Sequence, residues 1–181
     1  MSSLSFELQP TLDDELILLR PLEKDDFDAL YAAASDQLIW EQHPAYDRWQ
    51  RDVFEVFFRE AIASGGALAV IDKKSGTMIG SSRFVKVKEN IHSIEIGWTF
   101  LAREYWGGIY NLSMKRLMID HALRFVDNVL FFIGENNMRS RKAVEKLGAV
   151  LITELDGKPI HAPSDARVIY CLTKEVWTSR K

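Results

Sequence analysis

Apolar and polar residues alternate along "HSIEIGWTF", residues 92 to 100, with Ile94, Ile96, Trp98 and Phe100 on one side and Ser93, Glu95, Gly97 and Thr99 on the other. This is the period of a strand. Further on, the spacing changes. Met114, Leu117, Met118, His121 and Phe125 recur every three or four residues, which predicts an amphipathic helix beginning near Tyr110. The same reading extends in both directions. "LILLRPL" (16–22) is a strand stopped by Pro21, and "EKDDFDALYAAA" is a short helix with acids in its first turn. A loop marked by Pro44 leads to a second helix, whose apolar face is Trp49, Val53, Phe57 and Ile62 and which ends at Gly65 and Gly66. "ALAVID" and "TMIGSSRFVKV" form a hairpin-like pair turning at "KKSG". "VLFFIGE" is the continuous apolar run of a buried strand. Asn137 caps the next helix, Ala143, Val144 and Leu147 give its buried side, and Gly148 ends it. "AVLITEL" and "RVIYCLTKEV" close the chain as two strands across a polar loop holding Pro159 and Pro163. The pattern predicts one mixed α/β domain over residues 1–181.

Composition narrows the classes. The chain has 181 residues, 47% apolar and 27% charged, enough for a sizeable core without staples. Its longest apolar runs, such as Val129 to Ile133, are far shorter than a membrane span, and "MSSLSFELQP" lacks the regions of a signal peptide, so a cytoplasmic location is expected. Cys171 is the only cysteine, and the four histidines stand at no metal-ligand spacing, so neither a disulfide nor a metal site is expected. A net charge of −3 argues against general nucleic-acid affinity.

Within this acidic chain, cations gather at two helix starts, the end where they oppose the helix dipole. Lys115 and Arg116 follow Gly107 and Gly108, while Arg139, Arg141, Lys142 and Lys146 follow Asn137. An anionic ligand would offset the repulsion, and the free N–H groups of a helix start suit one. Two such starts favour a polyanion. The chain lacks both GxGxxG after a strand and GxxxxGK[ST], which weakens the dinucleotide and P-loop alternatives.

The order of elements, with "LRPL", "IEIGWTFLAREYWGGIYN" and "ENNMRSRKAVEKLGAV", resembles the GNAT superfamily of acyl-coenzyme-A-dependent N-acyltransferases, specifically the branch that includes the ribosomal-protein N-terminal acetyltransferases. The resemblance implies a twisted, mostly antiparallel sheet with helices on both faces, splayed between two parallel strands, "EIGWTF" and "VLFFIGE", with the pantetheine arm in the gap. It assigns coenzyme contacts to Gly97, Trp98, Thr99, Phe100 and Arg103, and a pyrophosphate turn to Trp106, Gly107, Gly108, Ile109, Tyr110 and Asn111. Asn137 would bond the coenzyme arm, with Arg139, Arg141 and Lys142 beside the phosphates. Ile109 departs from the pattern, because the family's turn has glycine or alanine there. If its side chain turns into the core while Gly107, Gly108 and Tyr110 present N–H groups, the departure loses little binding.

Amide formation from a thioester needs a neutral amine, a proton acceptor, and a group to protonate the departing thiolate. The family implies direct transfer, so Cys171 need not be a nucleophile. The position of the acid resembles Ser140. Glu95, beside the expected splay, is the candidate base. Trp40, Glu41 and His43 lie in the connection that the family places over the acceptor pocket, where an aromatic with an acid could receive an amine. The expected activity is acetyl transfer from acetyl-coenzyme A to a primary amine, a protein N-terminus or a small molecule, by a monomer or homodimer. A degenerate coenzyme-A-binding module and a nucleotide-binding regulator are the alternatives.

Overall fold

The computed structural model describes residues 6–88, 90–162 and 166–180. An eight-stranded sheet runs in the order β1 (Leu12–Asp13), β2 (Ile17–Pro21), β3 (Ala67–Asp72), β4 (Met78–Lys86), β5 (Ser93–Leu101), β6 (Asn128–Gly134), β10 (Arg167–Thr173) and β7 (Val150–Ile152). Every neighbouring pair is antiparallel except β5 and β6. A separate small pair, β8 (Glu154–Leu155) and β9 (Lys158–Pro159), completes the strands.

Two cores flank this sheet. On one face α1 (Phe27–Ala34), α2 (Arg51–Ser64) and the connection between them bury Leu30, Trp40, Phe54, Phe57 and Phe58 against Ala67, Ala69 and Phe100. On the other, α3 (Ile109–Ala122), α4 (Met138–Lys146) and α5 (Lys174–Ser179) pack Met114, Met118, Val144 and Trp177 with Ile94, Ile96 and Phe131. Helix α2 turns Phe54, Phe57, Phe58 and Ala61 inward, a stripe rotated from the expected Trp49, Val53, Phe57 and Ile62. The aromatic rings decide this rotation, because they bury more apolar area than the valine and isoleucine.

Two expectations at the C-terminal end need correction. The last strand stops at Thr173, whose side chain accepts a hydrogen bond from the Val176 N–H and starts α5 where a continued strand is expected. "AVLITEL" divides between β7 and β8 rather than forming one strand. Pro163 lies outside the described residues.

The alternation along β5 also breaks. Ser81 pairs with Phe100 and Arg83 with Gly97, so Ser82 alone faces both Trp98 and Thr99. Trp98 takes the positive φ of 50° that this bulge requires. Beyond it the faces exchange. Ile94 and Ile96 join the α3 core, while Phe100 packs with the α1–α2 core and Leu101 returns to the α3 side.

Candidate functional site

β5 and β6 are paired only from Ser93 to Glu95, against Asn128 to Leu130. Beyond Glu95 they diverge, and a cleft of about 1050 Å³ lies between Ile96–Leu101 and Phe131–Gly134. The backbone groups on the facing edges of the two strands have lost each other as partners, so an amide-bearing ligand can take up their hydrogen bonds.

One end of the cleft is basic. Gly107 has φ +68°, a conformation only glycine adopts freely, and Gly108 is the N-cap of α3 with no side-chain cap. The N–H groups of the first turn are therefore open to an anion. Asn111, Arg116 and Lys142 line the cleft, and Lys146 lines it too, but from the last turn of α4 rather than from the helix start where the sequence pattern put it. The fit to a pyrophosphate with a further phosphate is one of charge, backbone donors and an uncapped helix start.

At the middle, Asn137 caps α4 by accepting from the Ser140 N–H at 3.2 Å, and both residues line the cleft. The Asn137 amide nitrogen and the Ser140 hydroxyl have no hydrogen-bond partner among the described residues, so both are available to a ligand. Gly97, Trp98, Thr99, Phe100 and Trp106 also line the cleft. The Trp106 indole donates to the Leu101 carbonyl at 2.8 Å, and the Arg139 guanidinium stacks 3.9 Å from a Trp106 ring centroid while donating to the Ile39 carbonyl.

Glu95 is buried at the opposite end, and burial raises it to about 7 against the opposing pull of Arg167 and Arg83. His43 also lines the cleft there, with Nδ1 accepting the Ala45 N–H at 2.9 Å. Burial, with Arg48 and Arg167 nearby, lowers it to about 3. It is a neutral imidazole with its proton on Nε2, a donor rather than a proton acceptor at neutral pH.

Several expected contacts fall outside the cleft. Arg103 is bound to Asp36 at 2.6 Å on the surface. Arg141 is turned to the Glu135 carbonyl and the Tyr170 hydroxyl, which satisfy its guanidinium away from the cleft. The Tyr110 side chain reaches back to Asp72, and Ile109 is 63% exposed rather than in the core. As the first residue of α3, Ile109 stands on its outer side, so the helix phase rather than hydrophobicity sets its place. Glu41 is exposed and is not among the lining residues. Trp40 is a wall of the cleft, but it is 2% exposed and its indole N–H is committed to the Ala34 carbonyl at 2.8 Å.

Four cations were missed or misplaced in the sequence reading. Lys115 lines the cleft, but its Nζ is buried and donates to Thr99 Oγ1 at 2.8 Å, and burial lowers it to about 7. The available signal was its spacing, four before Ile119 and seven before Ala122, on the buried stripe of α3. Arg48, Arg83 and Arg167 converge electrostatically on the Glu95 end from three separate elements, and no local pattern joins them.

An open sheet whose one parallel pair diverges around such a cleft is the GNAT fold. The chain belongs to the acetyltransferase (GNAT) family, whose domain model matches residues 17–150. Among solved structures it is similar to a GCN5-related N-acetyltransferase from Brucella melitensis, with 19% identity over 94% of this chain and 81% of that one, at a TM-score of 0.74. A probable GNAT-family acetyltransferase from Chromobacterium violaceum has 16% identity over 94% and 89% of the two chains, at 0.76. RimJ from Mycobacterium smegmatis, solved in complex with CoA-disulfide, has 18% identity over 92% and 87%, at 0.61. Among curated proteins none matches the chain by sequence. No helix of the described residues is long and apolar enough to cross a membrane, and no group of three or more metal-ligating side chains occurs among them.

Proposed function

We propose that this chain is an acetyl-coenzyme-A-dependent N-acetyltransferase, a single catalytic domain that transfers acetyl to a primary amine by direct attack. The observation that carries this reading is the cleft through the splayed sheet, basic at the α3 and α4 starts and holding a buried carboxyl, Glu95, at its far end. Acetyl-coenzyme A supplies an acetyl group already activated as a thioester.

The residues divide the work by position. The N–H groups of the α3 start, with Arg116, Lys142 and Lys146, hold the phosphates, and the free edge of β5 with the Asn137 amide holds the pantetheine arm. Glu95, raised to about 7, takes the proton that the amine loses as its nitrogen bonds to the acetyl carbon. The Ser140 hydroxyl donates a hydrogen bond to the sulfur as the carbon–sulfur bond breaks, and the released thiolate takes its proton from solvent. His43 Nε2–H stands at the acceptor end as a fixed donor. The motif likeness to the ribosomal-protein N-terminal acetyltransferases supports a chain N-terminus as one possible acceptor, and a small amine fits the same chemistry.

The deciding experiment is acetyl-coenzyme A turnover against a mixed panel of amines, amino acids and peptides, with the acetylated product identified by mass spectrometry. Transfer to at least one amine is expected. Coenzyme A binding with no transfer to any member would make the protein a binding module, and equal binding of ATP or NAD would make it a nucleotide-binding regulator.

A further inference from the structure

Arg83 is an expensive residue to bury. It lies on β4 opposite Gly97, 5% exposed, and its Nε and one terminal nitrogen have no hydrogen-bond partner. An unpartnered buried charge is costly, and a fold keeps one where something else completes it. The guanidinium stands over aromatic faces, 4.7 Å from a Trp98 ring centroid and 5.7 Å from Phe57. Stacking of this kind uses the flat face of the group and leaves its in-plane donors free.

Two further guanidiniums share the region. Arg48 stands over Phe57 at 4.4 Å and Trp40 at 5.1 Å, and Arg48 and Arg167 both line the cleft beside Glu95 and His43. None of the three makes an ion pair within 4.0 Å among the described residues. The acids in electrostatic range are Glu95, Glu60 and Asp47, and of these Glu95 is the buried one. Burial lowers Arg48 and Arg83 only to about 10, so both remain charged at neutral pH.

We propose that Arg48 and Arg167, which line the cleft, backed by the buried Arg83 beside Glu95, form a carboxylate-binding subsite at the Glu95 end of the cleft, and that the acetyl acceptor is a small amine bearing a carboxylate close to its amino group. This rests on the reading of the chain as an N-acetyltransferase. The register gives the spacing. Arg83 pairs with Gly97 and Val85 with Glu95, so Arg83 and Glu95 occupy diagonal positions on the same sheet face. A carboxylate held in the guanidinium forks therefore brings an amine only a bond or two away toward Glu95. Amino acids are the simplest molecules with that spacing. The planar forks match a carboxylate in two-point fashion, whereas a peptide N-terminus without a nearby acidic side chain leaves them unfilled.

The test reads binding first and transfer second. With the coenzyme-A-saturated protein, a panel of N-acetyl amino acids, the corresponding N-acetyl amino acid amides, and N-acetyl-O-phosphoethanolamine is titrated calorimetrically. At least one acid is expected to bind tenfold or more tightly than its amide. That preference should collapse in Arg83→Met and in Arg167→Gln, with coenzyme A affinity within about twofold of the parent. Arg167 is only half-buried, so its variant keeps the test open if Arg83→Met does not fold. Amides binding as well as acids, no member binding, or the phosphate outranking every carboxylate would each overturn the proposal. Acids that bind in this way but whose parent amines are never acetylated would retain the subsite and refute the transferase reading. Transfer with no preference for carboxylate-bearing amines would do the reverse.

Discussion

Lys115 Nζ donates to Thr99 Oγ1 at 2.8 Å, joining α3 to β5 one residue after the bulge. Thr99 in turn shares a 2.8 Å hydrogen bond with Ser82 on β4. Thr99 and Lys115 both line the cleft beyond the point where the strands part. No carboxylate completes it among the described residues, and the nearest balancing feature is the Phe131 ring, 5.5 Å from Nζ.

The buried ammonium carries a stability penalty with a definite pH dependence. Lys115 falls from 10.5 when unfolded to about 7 when folded, so between those values the unfolded chain binds more protons and stability rises with pH. The penalty is complete below about 7 and is relieved toward 10.5. Lys115→Met should therefore be more stable than the parent by a few kcal/mol at pH 6, with a smaller gain at pH 9. Urea unfolding at the two pH values checks this, and an equal gain at both would mean that the ammonium is not the source.

Glu95 shifts the other way. Its folded value, about 7, lies above the ordinary 4.5, so the folded state holds the proton longer and stability falls as pH rises between those values. Glu95→Gln should stabilise the fold above pH 7 and lose that advantage below 4.5. Its activity should fall by roughly 10²–10⁴-fold, and the rise in kcat/KM centred near 7 should disappear. Deprotonation of the acceptor amine adds a second rise in both proteins. A variant that keeps the limb near 7 would remove Glu95 as the base.

Ser140→Ala should lower kcat by roughly tenfold to a thousandfold with little change in coenzyme A affinity, since the hydroxyl acts on charge that develops at the sulfur. The Asn137 side chain accepts from the Ser140 backbone N–H, so that bond survives the change. An unchanged kcat with chemistry limiting would leave Ser140 a helix residue only.

The proposed phosphate turn separates backbone demand from ligand demand. Gly107, at φ +68°, should lose roughly 1 kcal/mol of stability on replacement by alanine. Gly108 has φ −122°, and a Cβ there would meet only the Trp106 carbonyl oxygen at 3.9 Å, so Gly108→Ala should melt like the parent. Any loss should appear only in coenzyme A affinity. Ile109→Gly should change binding little, because the side chain is exposed. Melting curves and calorimetric titration of the three variants decide this, and markedly tighter binding by Ile109→Gly would make the isoleucine an obstruction.

Lys142 and Arg141 are adjacent in sequence but differ in placement. Lys142 lines the cleft, whereas Arg141 is tied to Glu135 and Tyr170. Lys142→Ala should weaken coenzyme A binding more than Arg141→Ala does, and the gap should narrow at higher salt. Titrations at two ionic strengths test it, and equal losses would put both side chains on the ligand.

The sequence by itself determined the elements whose signal is local: the places of α3 and β5 in the chain, the Asn137 cap, the glycine at 107, and the motif order that resembles the family. These depend on residues a few positions apart, which is the range of helix and strand geometry and of capping. Tertiary structure decided what depends on partners distant in sequence. One inserted residue at Trp98 exchanged the faces of β5, separating Ile94 and Ile96 from Phe100. Packing against the sheet turned Lys115 inward, while Asp36, Asp72 and Tyr170 drew Arg103, Tyr110 and Arg141 away from the cleft. Arg48, Arg83 and Arg167 come from a loop and two strands spread over most of the chain. Their convergence on Glu95 is a property of the folded sheet, because only long-range strand pairing brings β4, β5 and β10 to one cleft.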